Sequence, residues 1–452
     1  MSQERPTRLH AGMWSVEVER ATGWVRCVRL GGHEVARAVY ANVRDENWKT
    51  LSQRMVHHRA AQEEGRFEAH WQIDLDDIGF TWKVAVVCDG KSLSIDWTGE
   101  SLQEFETRRT GLCLLHPLEL KGLPCEVVHS DGRVESGAFP ILVEPHQPFF
   151  DIAGMLHGVG GAKVHISFLG EVFEMEDQRN WTDASFKTYC RPQAWEQPYA
   201  VASGEAIQHG VRFEFEGEVI PVERHCVTVL SDSGRPVPMP KLGTLSPQPV
   251  SGFAFHIDPD RPDDWSAAGF GRVHCAGANF VDLNRNRPEM AELDAVAFGA
   301  SPQAHAFDDR TILENVRGLA DAVETAIEIT GGKPVCVGPI RFQNRRVEFD
   351  YRIAEPIAVA WFVATVLACA EAGASACCIL EAGNFRGPMR DALSLLQGVG
   401  EVELLHSPDP YRVIGFKIPG KGAVLVNMRS FTTSAAYDGE HELGPHEVRI
   451  LD

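Results

Sequence analysis

Between Phe173 and Tyr189 the chain carries Glu174, Glu176, Asp177 and Asp183, the cations Arg179 and Lys187, Asn180 and four aromatic residues within seventeen positions. A half-buried strand alternates apolar with polar residues, whereas here polar side chains fall on both faces from Glu176 to Asn180. The run is therefore expected to be a non-strand segment, held by side-chain hydrogen bonds against other protein or a ligand at the boundary between two domains. Asp177 and Arg179 are its candidate binding residues. The structural alternative is an ion-pair network that only clamps two sheets.

Patterning on either side of this run differs. From Gly12 to about Val229, short apolar runs such as Trp24–Leu30, Ala85–Cys88 and Leu93–Trp97 alternate with turn signals, which predicts an all-β sandwich. The proline-rich stretches Ser233–Pro240 and Ser246–Pro249 read as a linker, since proline removes ladder donors. After Ser251 the pattern becomes strand, loop, helix. Ala295–Phe298 reads as a strand, and a Thr311–Glu314 capping box opens a helix with Ile312, Val316, Leu319 and Val323 on one face. Asp308 or Asp309 suits its N-cap. Val335–Val337 and Ala376–Leu380 read as strands around an Ala-rich helix from Pro356, and this alternation predicts βα units and a parallel sheet. From Tyr411 the chain returns to antiparallel β. The expected fold is multidomain α/β and all-β: a sandwich over 1–245, a partial TIM-like (β/α) barrel over 246–405 and a small C-terminal β module over 406–452.

Composition excludes several function classes. A net charge of −20 with no run of Lys or Arg argues against nucleic acid as a partner. Met1–Arg8 lacks the apolar stretch of a secretory signal, and the longest apolar run, Ile357–Ala370, is too short to cross a bilayer, so no membrane partner and a cytoplasmic location are expected. Eleven scattered cysteines without a CxxC pair read as free thiols. There is no Gly-x-Ser-x-Gly elbow and no His-Glu-x-x-His spacing, so neither a serine triad nor a metal is expected, and no cofactor.

Taken with Arg109–Pro117, Gly122–Gly132 and Phe139–Ile152, the Phe173–Tyr189 run resembles the D-apionate lactonase family. Asp282–Pro288, Ser301–Asp309, Val337–Pro339 and Glu381–Gly387 extend the resemblance into the distal half. It implies a β-sandwich followed by a TIM barrel like those of glycoside hydrolases, with these distal motifs at its later strand ends. The barrel segment spans about 160 residues, whereas a complete (β/α)₈ barrel usually needs about 250. The early strands are thus expected to be missing or compressed into Gly252–Gly277, leaving a partial barrel or one completed by a second copy in a homo-oligomer.

Barrel chemistry gathers at the carboxyl ends of the strands. The candidate clusters are Asp282, Asn284 and Arg285; His305; Arg341; and Glu381, Asn384 and Arg386. Lactone hydrolysis needs a base for water, donors for the oxyanion and an acid for the leaving alkoxide. Asp282 or Glu381 can be the base, His305 the proton shuttle, and Arg341 or Asn284 the oxyanion donor, with Arg285, Asn384 and Arg386 binding substrate. The leading expectation is a hydrolase that opens a sugar-acid lactone, D-apionolactone-like, in carbohydrate catabolism. Two alternatives stand: a glycoside hydrolase using Asp282 with Glu381, and a noncatalytic carbohydrate-binding or interaction protein with a degenerate barrel.

Overall fold

The computed structural model describes residues 6–223, 226–343, 350–380 and 387–451, and the counts below are of those residues. The chain divides into two compact units. The first holds the chain up to Ile141, then His146–Asp177 and the stretch from Ser185 to about residue 224; the second holds Leu142–Pro145, Gln178–Ala184 and the remainder.

The first unit is built from a seven-stranded and a nine-stranded sheet. Their strands alternate as a half-buried surface requires; Phe80–Cys88, for example, buries every second side chain. Trp14 from the smaller sheet meets Phe213 and Phe215 of the larger one at 6.1 and 5.9 Å between ring centres. The expected sandwich is thus present. Contrary to expectation, part of the polar run is strand: Glu174–Asp177 pairs antiparallel with Phe186–Tyr189. Charge pairing replaces alternation there. Lys187 Nζ lies 2.6 Å from Glu176 Oε2, and the Tyr189 hydroxyl donates to Glu174 Oε1, so both faces can be buried.

The second unit contains a six-stranded parallel sheet of β1 (Lys241–Leu245), β2 (Phe255–Ile257), β3 (Val273–Ala276), β4 (Ala295–Ala300), β5 (Val335–Ile340) and β6 (Ala376–Ile379). The spatial order is β2-β1-β6-β5-β4-β3. The last strand therefore pairs with the first, which is how a (β/α) barrel closes. The wall is interrupted between β2 and β3, where the sequence suggested compression. Its helices are α1 (Phe280–Arg285), α2 (Asp309–Glu314), α3 (Val316–Ile329), α4 (Pro356–Glu371) and α5 (Pro388–Leu396). Ile357 to Ala370 of α4 are all buried, as an apolar helix without a polar face must be.

Two local expectations are corrected. The proline-rich stretch is not a linker, because Ser231–Pro238 pairs antiparallel with Glu401–His406. It is the edge strand of a five-stranded sheet, and an edge tolerates Pro236 and Pro238 because one side needs no ladder donors. The helix does not begin at a Thr311 box. Asp308 is the N-cap, as one of the two expected candidates, accepting from Thr311 N at 3.0 Å and from Thr311 Oγ1 at 2.7 Å, and the helix breaks at Asn315 before α3 continues. The tail is antiparallel as expected, Val413–Ile418 pairing with Gly422–Asn427.

Gln178–Trp181 forms a 3₁₀ turn that docks on α1 and α3 of the second unit. Arg179, fully buried, donates to Asp321 Oδ2 at 2.8 Å and to Leu142 O at 3.2 Å. Asn180 Nδ2 donates to Glu144 O at 2.6 Å, and Asn284 Nδ2 bridges Val143 O and Asn180 Oδ1 at 2.9 and 3.0 Å. Gly318 on α3 makes the approach possible, since a Cβ there would lie 2.4 Å from Asp183 O. Arg179→Ala should cost about 3–5 kcal/mol because the buried Asp321 carboxylate loses its 2.8 Å guanidinium contact. Urea unfolding measures this; a loss under about 1 kcal/mol would show that the pair does not hold the turn.

Candidate active site

At the carboxyl end of β4 the chain turns through Ser301 and Pro302 to His305. The docked turn delivers Asp183 to the same place. His305 Nδ1 lies 2.6 Å from Asp183 Oδ2, and the other carboxylate oxygen, Oδ1, accepts from Asn315 Nδ2 at 2.8 Å. Asn315 is fixed in turn, because its Nδ2 also donates to Pro302 O at 2.9 Å and its Oδ1 accepts from Ala184 N at 3.1 Å. The break between α2 and α3 thus has a purpose: it turns an Asn side chain onto the loop that carries Asp183.

An ionised carboxylate only accepts, so the contact favours the His305 tautomer that carries its proton on Nδ1. The imidazole side chain is 21 % exposed while Asp183 is 5 % exposed. That combination, a reachable ring oriented by a buried carboxylate, is the geometry of a general base. Trp181 stands edge-on to the His305 ring at 5.5 Å, and the Arg285 guanidinium lies over the indole at 5.6 Å.

The other sequence candidates are distributed as follows. Asp282 lies in the first turn of α1, not at a strand end, yet its carboxylate folds back over the end of β3: a Cβ on Gly277 would lie 2.0 Å from Asp282 Oδ2. Asn284 is 1 % exposed and engaged in the turn contacts above, with its Oδ1 accepting from Arg287 at 3.1 Å. Arg285 Nε donates to Pro145 O at 2.7 Å while the residue stays exposed. Arg341 directly follows β5, its amide donating to Ala300 O at 2.9 Å, and its Nε is buried without a hydrogen-bond partner among the described residues. Asp177 is fully buried in the first unit, and Arg179 is taken up by Asp321. Glu381, Asn384 and Arg386 lie outside the described residues.

A network that the sequence reading missed braces the loop after His305. Arg352 donates to Asp309 Oδ1 at 2.8 Å, to Phe307 O at 2.7 Å, to Gln303 Oε1 at 2.9 Å and to Asp350 Oδ2 at 2.7 Å. Burial alone would raise the Asp350 carboxyl, but hydrogen bonds from Arg352 and Gln303 outweigh it and hold it below its ordinary value. Asp183, Asn315 and Trp181 are not among the sequence candidates, although Asp183 and Trp181 lie inside the Phe173–Tyr189 run. A separate cleft of about 660 Å³ opens among the C-terminal strands, lined by Lys417, Tyr437 and His441. Lys417 and Tyr437 are tied to Asp232, each at 2.7 Å, and no histidine–carboxylate pair is found there among the described residues, so the mouth at His305 is the better candidate.

Residues 1–218 match the model of the D-apionate lactonase N-terminal domain, and residues 270–349 match that of the D-apionate lactonase TIM barrel domain. The chain belongs to the D-apionate lactonase family. A member from Brucella anthropi, D-apionate lactonase, is 35 % identical over 210 residues, which is 45 % of this chain and 34 % of that protein. The chain thus spans about a third of the length of this relative. Among solved structures, a GH36 alpha-galactosidase from Geobacillus stearothermophilus aligns over 99 % of this chain and 94 % of its own at 9 % identity and a TM-score of 0.34. A putative aldose 1-epimerase from Escherichia coli covers 47 % of this chain and 98 % of its own at 9 % identity and a TM-score of 0.31. Family membership therefore rests on sequence. Among the described residues no helix is long and apolar enough to cross a membrane.

In this family member His446 is buried beside the braced loop, with neither ring nitrogen hydrogen-bonded among the described residues. Burial lowers it to about 4, and the nearby charge of Asp309 pulls the other way without prevailing. The folded chain thus holds His446 neutral where the unfolded chain would protonate it. Its contribution is complete above the ordinary value of 6.5 and is lost as pH falls towards about 4. Between about pH 7 and pH 5 the wild type should lose about 2 kcal/mol more stability than His446→Gln. Parallel denaturant titrations with equal losses would refute this.

Proposed function

We propose that this chain opens a sugar-acid lactone, of the D-apionolactone kind, with water activated by His305. The supporting observation is the 2.6 Å contact between His305 Nδ1 and Asp183 Oδ2, with Asp183 itself held by Asn315. In this reading Nε2 takes a proton from water as the water oxygen attacks the lactone carbonyl. The negative charge then formed on the carbonyl oxygen is stabilised by the guanidinium of Arg341, the residue directly after β5. Collapse breaks the ring ester bond, and the imidazolium returns the proton to the departing alkoxide, giving the open hydroxy acid. Trp181 offers an apolar face to a sugar ring, and Asp282 at the end of β3 accepts its hydroxyls. The similarity to D-apionate lactonase of Brucella anthropi supports the substrate class and a place in carbohydrate catabolism, which we infer to be cytoplasmic. Asp183 is a positioning residue here, and His305 replaces Asp282 or Glu381 as the proposed base.

His305→Ala should lower turnover of a sugar-acid lactone by about 10²- to 10⁴-fold in a folded protein. Asp183→Asn, which favours the wrong tautomer, should reduce kcat by about 10²-fold or more with little change in KM. Wild-type protein that opens no sugar lactone yet binds a sugar acid would establish the noncatalytic alternative, and glycoside cleavage without lactone opening would establish the glycosidase.

A further inference from the structure

Glu171, Cys190 and His209 belong to the first unit, apart from the lactone chemistry proposed for His305. Cys190 follows the strand Phe186–Tyr189, and its amide donates to Leu112 O at 3.2 Å. His209 lies on the strand Ala206–Glu216, and Glu171 follows the strand Ala162–Leu169. The donor atoms of the three lie within 4.8 Å of one another. Cys190 Sγ is 3.7 Å from each His209 ring nitrogen, and His209 Nε2 is 3.8 Å from Glu171 Oε2.

Two glycines allow this convergence. A Cβ on Gly111 would lie 2.4 Å from Cys190 Sγ and 3.0 Å from His209 Cε1. Gly170 has φ +111°, and a Cβ there would lie 2.5 Å from His209 Cδ2. Cys190 is fully buried and His209 is 3 % exposed. Glu171 Oε2 is buried without a hydrogen-bond partner among the described residues, although a third of the side chain remains accessible. Packing explains His209, whose ring lies near those of Trp82 and Phe173 at 6.2 and 6.4 Å. It does not explain a carboxylate oxygen turned inward with no donor, which is costly unless a cation or donor meets it.

We propose that Glu171, Cys190 and His209 form a binding site for a divalent transition metal of zinc-like character. One oxygen, one sulfur and one nitrogen donor suit such an ion. A tetrahedral centre with Zn–S of about 2.3 Å, Zn–N of about 2.0 Å and Zn–O of about 2.1 Å holds its donors about 3.4–3.6 Å apart. From His209 Nε2, the observed 3.7 Å to Cys190 Sγ and 3.8 Å to Glu171 Oε2 lie within about half an ångström of that spacing. On binding, the metal–sulfur bond forms as the Cys190 thiol gives up its proton to solvent, and the accessible side at Glu171 leaves the fourth position to water.

Titration of the purified full chain with cobalt(II) tests this. One cobalt per chain should bind with a thiolate-to-cobalt charge-transfer absorption that zinc displaces. Cys190→Ser should abolish that absorption, and Glu171→Gln should weaken binding by about tenfold or more. The Glu171 substitution sits at a partly accessible position, so it keeps the question decidable if Cys190→Ser fails to fold. Folded wild type without the absorption, an absorption that persists in Cys190→Ser, or undiminished binding in Glu171→Gln would each overturn the proposal.

Discussion

Arg179 is buried in a turn of four residues, and a guanidinium in that position must be paired. Asp321 on α3 supplies the pair, and much of the second unit's site depends on it. Anchored at Arg179, the turn carries its next residues onto α1 and the loop after β4: Asn180 to Asn284, Thr182 to Ser301 and Asp183 to His305. The carboxylate that orients His305 comes from 122 residues earlier in the chain, so the barrel segment alone does not contain its complete constellation.

This arrangement also explains how a shortened wall supports a site. The six parallel strands keep the closing pair β6–β1 and the contiguous run β3 to β6. The motif-bearing loops after β3, β4 and β5 hang from that run, and the interruption falls between β2 and β3. Leu142–Pro145 packs beside the turn and α1, its backbone accepting from Arg179, Asn180, Asn284 and Arg285.

The broad architecture was legible because it is written in periodicity. Period-two runs before residue 229 and βα alternation after 251 gave the sandwich and the parallel strands. The proline-rich strand was misread because edge and linker have the same composition, and only the pairing with Glu401–His406 distinguishes them. Glu174–Asp177 departs from the expected pattern because buried ion pairs can replace apolar alternation, and Lys187 and Tyr189 of the same run become partners only when its two short strands pair. His305 was found from its place after a strand. Asp183 was not, since no local spacing links residues 183 and 305; the available signal was only that the densest polar run in the chain needed partners somewhere. Asn315 reads as an ordinary helix residue until the break between α2 and α3 is seen.

Membership of the D-apionate lactonase family and the oriented imidazole point the same way, but the decisive property is the state of one ring. Nitrogen-resolved NMR of His305, with and without a sugar-acid product, tests it most directly. A neutral ring protonated at Nδ1 is expected, with Nε2 shifting as the sugar acid is added and the tautomer lost in Asp183→Asn. A ring protonated at Nε2, or one whose nitrogens ignore the sugar acid at saturation, would contradict it.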